Sequence, residues 1–210
     1  MSTPAGAPDP VSRELAQGTP PAGSDPAAEA ALLARVLAGE SRAYATLVDR
    51  YGRRLYWSCL RLLGDPDDAE DAVQEAFVRA YTGLSRYDPA QRFYTWLFAI
   101  ARNLCLNRIR RRKLWGLLPL VSPATGAELP AREDTGARVE TRELAAALSD
   151  CLAALPFDQR ECFHLRHEEE FSYEEIASAL SIPMGTVMSR LSRAREKMRA
   201  CLAARGFGRA

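Results

Sequence analysis

An all-α protein is predicted, built as two small helical domains joined by a flexible linker and preceded by a disordered N-terminal extension. Three observations predict it. Apolar residues recur at three- and four-residue spacing through two long stretches, no segment alternates as a strand would, and proline and glycine cluster outside those stretches. With 210 residues, 47% of them hydrophobic, the chain can build a packed core in one medium domain or two small ones.

Residues 1–26 are rich in Pro, Ala, Gly and Ser, with little to bury, and are expected to be disordered. Residues 27–113 form the first helical domain. Ala31, Leu32, Leu33, Val36 and Leu37, then Tyr44, Leu47, Val48 and Tyr51, carry its periodicity. Gly64-Asp65-Pro66 and Asp88-Pro89 punctuate it as a break and a loop. Residues 114–140 contain Pro119, Pro123, Gly126, Pro130 and Gly136 and form the linker. Residues 141–203 form the second domain, with Leu144, Leu148, Leu152 and Leu155 on one helix face.

The net charge of +1 conceals segregation. Asp65, Asp67, Asp68, Glu70, Asp71 and Glu75 lie in one stretch without a basic residue. Arg102, Arg108, Arg110, Arg111, Arg112 and Lys113 follow without an acid, and the last helix adds Arg190, Arg193, Arg195, Lys197 and Arg199 against Glu196. Two basic helices and one acidic one suit a bridge between DNA and a basic protein, although three ordinary solvated faces would look the same. The cysteines (Cys59, Cys105, Cys151, Cys162 and Cys201) are widely spaced and form no CxxC, so reduced, mostly buried thiols are expected, with no metal and no cofactor. The N-terminus has no signal-peptide pattern and no run is long enough for a membrane span, so a soluble cytoplasmic protein is expected. No nucleophile, base and orienter come together in the sequence, which argues against an enzyme.

Ser172-Tyr173-Glu174-Glu175 fits a capping box that starts a helix through Leu180. Ser181-Ile182-Pro183 ends it, and a second helix starts near Met184. That is the pattern of a helix-turn-helix, whose second helix enters the major groove, although a plain helical hairpin is similar. On the second helix Val187, Leu191, Ala194 and Met198 form the core stripe. Ser189, Ser192, Arg193 and Glu196 lie opposite, flanked by Met188 and Arg190, and arginines there suit guanine edges or phosphates.

These segments resemble the sigma-70 family of RNA polymerase sigma factors, in its extracytoplasmic-function group. Leu155-Pro156 and FSYEEIASALSIPMGTVMSRLSRAREKMR (171–199) resemble region 4, which in the family reads the −35 promoter element. DAEDAVQEAFVRAY (68–81) resembles region 2.2, which docks on the clamp helices of the polymerase largest subunit. FYTWLFAIARNLCLNRIRRR (93–112) resembles regions 2.3 and 2.4, which open and read the −10 element. Regions 1.1 and 3 of housekeeping factors have no counterpart. The resemblance implies core docking by Asp68, Asp71, Gln74 and Glu75, and −35 contacts from Thr186, Met188, Ser189, Arg190, Ser192 and Arg193. It places Tyr87 and Asn103 at −10 contact positions. Trp96, Ala99, Asn103, Asn107 and Arg110 share one stripe, suited to a melted strand, opposite a core stripe of Leu97, Ile100, Ala101 and Leu104. Core packing is the expected role of Tyr94 and Phe98, and for Trp96 too it is expected ahead of direct base contact. The family commonly has Lys or Arg at position 188 and a larger side chain at 192, so Met188 and Ser192 question the usual −35 preference. Partners implied are core RNA polymerase, promoter DNA and, by analogy, an anti-sigma factor.

Two alternatives fit less of the chain. A response-regulator-type helix-turn-helix protein would need a doubly wound domain upstream, where only helices are read. A thiol or metal sensor would use Cys162, His164 and His167, which lack a second ligand pair and are expected on a partly exposed helix surface.

Overall fold

A computed structural model describes residues 26–114 and 138–207. Most of the expected N-terminal extension and of the linker lies outside the described residues. Those described fold into α1 (Pro26–Leu37), α2 (Ser41–Leu63), α3 (Pro66–Gly83), a 3-10 turn (Leu84–Arg86), α4 (Phe93–Leu114), α5 (Arg138–Ala153), α6 (Phe157–His167), α7 (Tyr173–Leu180) and α8 (Met184–Ala204), with no strand among them. The expected all-α architecture is the one observed.

The break after α2 has a local cause. Gly64 adopts φ 70°, the left-handed conformation glycine takes without a Cβ clash, and its N–H closes the helix onto the Leu60 carbonyl at 2.7 Å. Asp65 then caps α3, accepting the Asp68 N–H at 2.9 Å, and Pro66 occupies the first turn, where no N–H is required. Along α3, Ala69, Ala72, Ala76 and Ala80 are all fully buried. Small side chains at this spacing let α3 lie close against α2 and α4. Leu47 and Leu55 of α2 and Phe93, Tyr94 and Leu97 of α4 fill the space between. The buried Glu29 of α1 accepts the Phe93 N–H at 3.2 Å and the Tyr51 hydroxyl, so a carboxylate faces the positive end of α4.

In the C-terminal unit the capping box is present in full. The Ser172 hydroxyl accepts the Glu175 N–H at 3.1 Å, and the Glu175 carboxylate accepts the Ser172 N–H at 2.7 Å. Ser181 turns the chain at φ 54° and Pro183 stands at the N-cap of α8, whose expected core stripe of Val187, Leu191, Ala194 and Met198 is buried. Of the four leucines expected to share one helix face, Leu155 lies just past the end of α5 and is fully buried, while Leu144 and Leu148 on α5 are exposed. Ala147, Cys151 and Leu155 pack inward instead, because α5 rests on α8 along that narrower edge.

That contact also corrects the cysteine expectation. Cys151 and Cys201, 50 residues apart, form a disulfide with their Cα atoms 5.8 Å apart, joining α5 to the end of α8. The pairing depends on the crossing of two helices and leaves no trace in local spacing. Cys59, Cys105 and Cys162 are buried free thiols. Alkylation of the denatured, unreduced protein is therefore expected to label three of the five cysteines, and all five after reduction. Reduction should destabilise the C-terminal unit by about 4 kcal/mol, the loop-closure value for that separation. Labelling of five without reductant would contradict the pairing.

The two helical units share one core. Phe171, fully buried, meets Tyr94 and Phe98 of α4 edge to face at 5.8 and 5.6 Å. Around it the N-terminal unit supplies arginines and the C-terminal unit glutamates. Arg54 Nε lies 2.5 Å from Glu169, Arg61 2.6 Å from Glu168, Arg102 2.6 Å from Glu161 and Arg92 3.4 Å from Glu175. Glu169, only 4% exposed, also accepts the Ser58 and Tyr94 hydroxyls at 2.5 and 3.1 Å. Burial alone would push its carboxyl up, but His164 and Arg54 hold it down at about 2. The Arg54 guanidinium lies 4.3 Å above the Tyr94 ring.

Candidate polymerase and nucleic-acid interfaces

The proposed docking residues lie along α3, where they differ in how far their charge is already used. Asp68 is ion-paired with Arg112, and Glu75 lies 2.5 Å from Arg79 and 3.5 Å from Arg108. Asp71 and Gln74 are exposed. The acidic helix therefore partly neutralises the basic end of α4 within the chain itself. The sequence shows both charge runs but not that they face one another. With Arg102 turned toward Glu161, three arginines of the basic run (Arg102, Arg108 and Arg112) engage carboxylates of the protein.

The stripe read from the sequence faces outward on α4. Asn103, Asn107 and Arg110 are exposed, and Arg110 donates to Asn107 Oδ1 at 3.2 Å. Leu97, Ala101 and Leu104 are buried behind them and Ile100 is half-buried, as the core stripe requires. At the N-terminal end of the stripe stands an aromatic group. Tyr87 lies in the loop after the 3-10 turn, its ring 5.2 Å from Trp96 and 5.9 Å from Phe93, with Phe93 and Trp96 6.0 Å apart. Tyr87 and Trp96 are both half-buried, so part of each ring is open to solvent. The Tyr87 hydroxyl donates to the Gln91 carbonyl, and burial, with Glu29 and Asp88 nearby, raises its pKa to about 12, so the ring is a neutral platform. A row of one indole, one phenol, two amides and one guanidinium can stack unpaired bases and bind their edges and phosphates.

The second face is the N-terminal half of α8. Met188, Ser192 and Arg193 are exposed, and Thr186, Ser189 and Arg190 are half-buried. Two of these are committed within the protein. The Ser189 hydroxyl donates to the Thr186 carbonyl at 3.0 Å, and Arg190 is held by Asp158 of α6 at 2.7 Å. Arg193 projects opposite the buried Val187–Leu191–Ala194 stripe. Met188 and Ser192 beside it offer one apolar and one small polar contact, with no charge.

Of the two histidines, His167 is exposed as expected and His164 is not. His164 is buried at 8% exposure, where α6 faces Ser58, Arg61 and Leu62 of α2 and Phe98 of α4, and lies 3.2 Å from Glu168 and 3.4 Å from Glu169. Burial lowers its pKa, but the two carboxylates outweigh that and leave it raised. His167 stacks against Phe163 at 4.3 Å. No group of three His, Cys, Asp or Glu among the described residues could hold a metal ion. Nor is any described helix long and apolar enough to cross a membrane.

The family described as Sigma-70 region 2 matches residues 47–114, and Sigma-70 region 4 matches residues 145–198. The chain is 36% identical to the ECF RNA polymerase sigma factor SigW of Bacillus subtilis, across 79% of this chain and 91% of that protein. It is 34% identical to the RNA polymerase sigma-H factor of Pseudomonas aeruginosa, across 79% and 89% of the two lengths. Among solved structures it is similar to CnrH in complex with the cytosolic domain of CnrY, with a TM-score of 0.60 and 28% identity over 84% of this chain and 98% of that one. It is also similar to the sigma factor RpoE in complex with the anti-sigma factor NepR from Bartonella quintana, with a TM-score of 0.60 and 25% identity over 76% and 96%.

Proposed function

Because the chain belongs to the sigma-70 family of RNA polymerase sigma factors, in the extracytoplasmic-function group, we propose that it carries core RNA polymerase to promoters by three separate surfaces. Asp68, Asp71, Gln74 and Glu75 of α3 dock on the clamp helices of the largest subunit. Tyr87, Trp96, Asn103, Asn107 and Arg110 engage the opened −10 element, and Thr186, Met188, Ser189, Arg190, Ser192 and Arg193 face the −35 duplex. The observation that carries this reading is the pairing, in one chain, of an aromatic and amide stripe suited to single strands with an exposed helix-turn-helix face suited to duplex. A sigma factor is an initiation factor and no enzyme; the bond-forming chemistry is the polymerase's.

Within the −35 face Arg190 is tied to Asp158, which leaves Arg193 as the guanidinium free to take a base edge, and Met188 favours a thymine methyl over a phosphate. This chain's −35 preference accordingly departs from that of relatives with a cation at 188. The site of action is the cytoplasm. The regulon is one of stress or envelope signals, and control is by a protein inhibitor, as the complexes of CnrH with CnrY and of RpoE with NepR illustrate for those proteins.

The reading is tested by gel shift at physiological salt. The chain alone should bind promoter duplex weakly and without sequence preference, since two small reading surfaces gain register only when a third body holds them. Addition of core polymerase should produce a sequence-specific complex. Tight specific binding by the chain alone would instead favour a repressor-like role.

A further inference from the structure

We propose that Cys151 and Cys201 are a reversible thiol–disulfide couple, whose bonded state clamps α5 to α8 and strengthens reading of the −35 element. The inference rests on the −35 role and the cytoplasmic setting proposed above. In that compartment most cysteines are kept reduced, and a disulfide that does form is usually transient, catalytic or redox-sensing.

The five cysteines differ in what can reach them. Cys59 and Cys105 are 1% and 0% exposed, and the hydrogen bond between their thiols, with burial, pushes the Cys59 thiol well above its usual range. Cys162 is 0% exposed, and burial raises it too. Such thiols carry little of the thiolate that reacts. Cys201 is only half-buried, in the last turn of α8, whereas its partner Cys151 is enclosed at 1%. A reagent from solution therefore meets Cys201. Lys197 precedes it by four residues on the same helix face, and Arg205 follows it by four at the helix end. Arg205 also reaches across to Asp150, the neighbour of Cys151, at 2.6 Å. Two cations beside Cys201 favour its thiolate.

The bond is made and broken at that sulfur. With a peroxide as oxidant, the Cys201 thiolate attacks one oxygen, the O–O bond breaks, and Cys201 becomes a sulfenic acid as the other oxygen leaves as water. The Cys151 thiol then attacks the Cys201 sulfur, the S–S bond forms, and the sulfenic oxygen departs with the thiol proton as a second water. Two thiols have lost two electrons, and one peroxide has gained them. In the other direction a dithiol reductant attacks Cys201, and Cys151 leaves and takes a proton. The reductant's second thiol then frees Cys201, and the reductant ends as a disulfide.

What the bond holds is a small seam set apart from the main core. Val187 and Leu191, behind the first half of the reading face, belong to the large apolar cluster that includes Leu165, Phe171 and Ile176. Ala194 and Met198, farther along α8, pack instead with Cys151 and Leu155 in a separate cluster of four buried residues. The Arg205–Asp150 pair across the same seam is exposed on both sides, so it adds little. Arg193 immediately precedes Ala194, so the way it is presented depends on this turn. With the bond open α5 frays, the turn from Ala194 to Met198 loses its cover, and fewer molecules hold Arg193 ready for a base edge.

The test uses the full chain. It is equilibrated in buffers of stepped reduced-to-oxidised glutathione ratio, quenched, denatured and alkylated, and the label on each cysteine is read by peptide mass. Cys151 and Cys201 should gain label together within that range, while Cys59, Cys105 and Cys162 are labelled throughout. The melting temperature should fall by about 10 °C in the dithiol form, as loop closure predicts for a chain of this size. With core polymerase, the disulfide form should transcribe about fivefold better from the linear fragments on which the holoenzyme initiates. That is the factor expected where about a fifth of dithiol chains hold the competent form. On the same fragments, pre-melted at −10 and scrambled at −35, the two forms should be equal. Cys201→Ser should match the dithiol form and ignore the glutathione ratio; if it does not fold, chemically reduced wild type gives the same comparison. A bond that persists in the most reducing buffer, or never forms in the most oxidising one, would overturn the couple. Equal transcription by the two forms on intact fragments, or the same gain on scrambled ones, would overturn its link to −35 reading. Absence of core-dependent transcription from every form, with the thiol titration as expected, would instead count against the promoter-reading role.

Discussion

Asp71→Lys is expected to abolish association with core RNA polymerase while leaving the fold intact. The two acids that flank it on α3 are poor places for this test. Asp68 is ion-paired with Arg112 and Glu75 with Arg79 and Arg108, so reversing either would set like charges against each other inside the protein. Asp71 is exposed and makes no ion pair among the described residues. On the proposed docking a lysine there would meet a basic partner surface, and like-charge juxtaposition across an interface costs several kcal/mol. At 1.4 kcal/mol per factor of ten, that is a loss of roughly 100-fold or more in affinity. A fluorescence titration of labelled chain with core polymerase measures it, and an unchanged melting temperature shows that the fold survived. Unchanged core affinity would remove α3 from the docking surface.

Arg193→Ala and Asn103→Ala should fail at different steps. Arg193 stands on the outward face of α8, and its loss should weaken the holoenzyme at the −35 element by about 1–3 kcal/mol, the value of one bidentate base contact, or roughly 5- to 150-fold. Asn103 lies on the exposed stripe of α4, so Asn103→Ala should spare duplex binding and slow strand opening. Permanganate footprinting on linear and on pre-melted templates separates them. Pre-melting the −10 element should rescue Asn103→Ala more than Arg193→Ala. The reverse pattern would mean that the two faces have been assigned the wrong way round.

The helices were legible because their signals are local. Ser172 with Glu175, Gly64-Asp65-Pro66 and the Val187–Leu191–Ala194–Met198 stripe each specify a cap, a break or a buried face within a few residues, and each is found as read. The exposed side of α4 followed from the same periodicity. What escaped depends on contacts between distant segments. Glu161 and Glu169 are buried charges, which no hydropathy pattern marks as interior, and they become acceptable only because Arg102 and Arg54 arrive from another unit. The pairing of Cys151 with Cys201, the burial of His164 and the exposure of Leu144 and Leu148 follow likewise from how helices cross. Charge runs were visible, but their mutual neutralisation through Asp68–Arg112 and Glu75–Arg108 was not.

Reconstituted transcription tests the central claim most directly. Purified chain is added to core RNA polymerase with a pool of linear promoter fragments, and run-off products are sequenced. The account predicts transcripts from a restricted set of fragments sharing one −35 and one −10 sequence, with thymines near −10 reactive to permanganate only when chain and core are both present. Transcripts no different from those of core polymerase alone would contradict it.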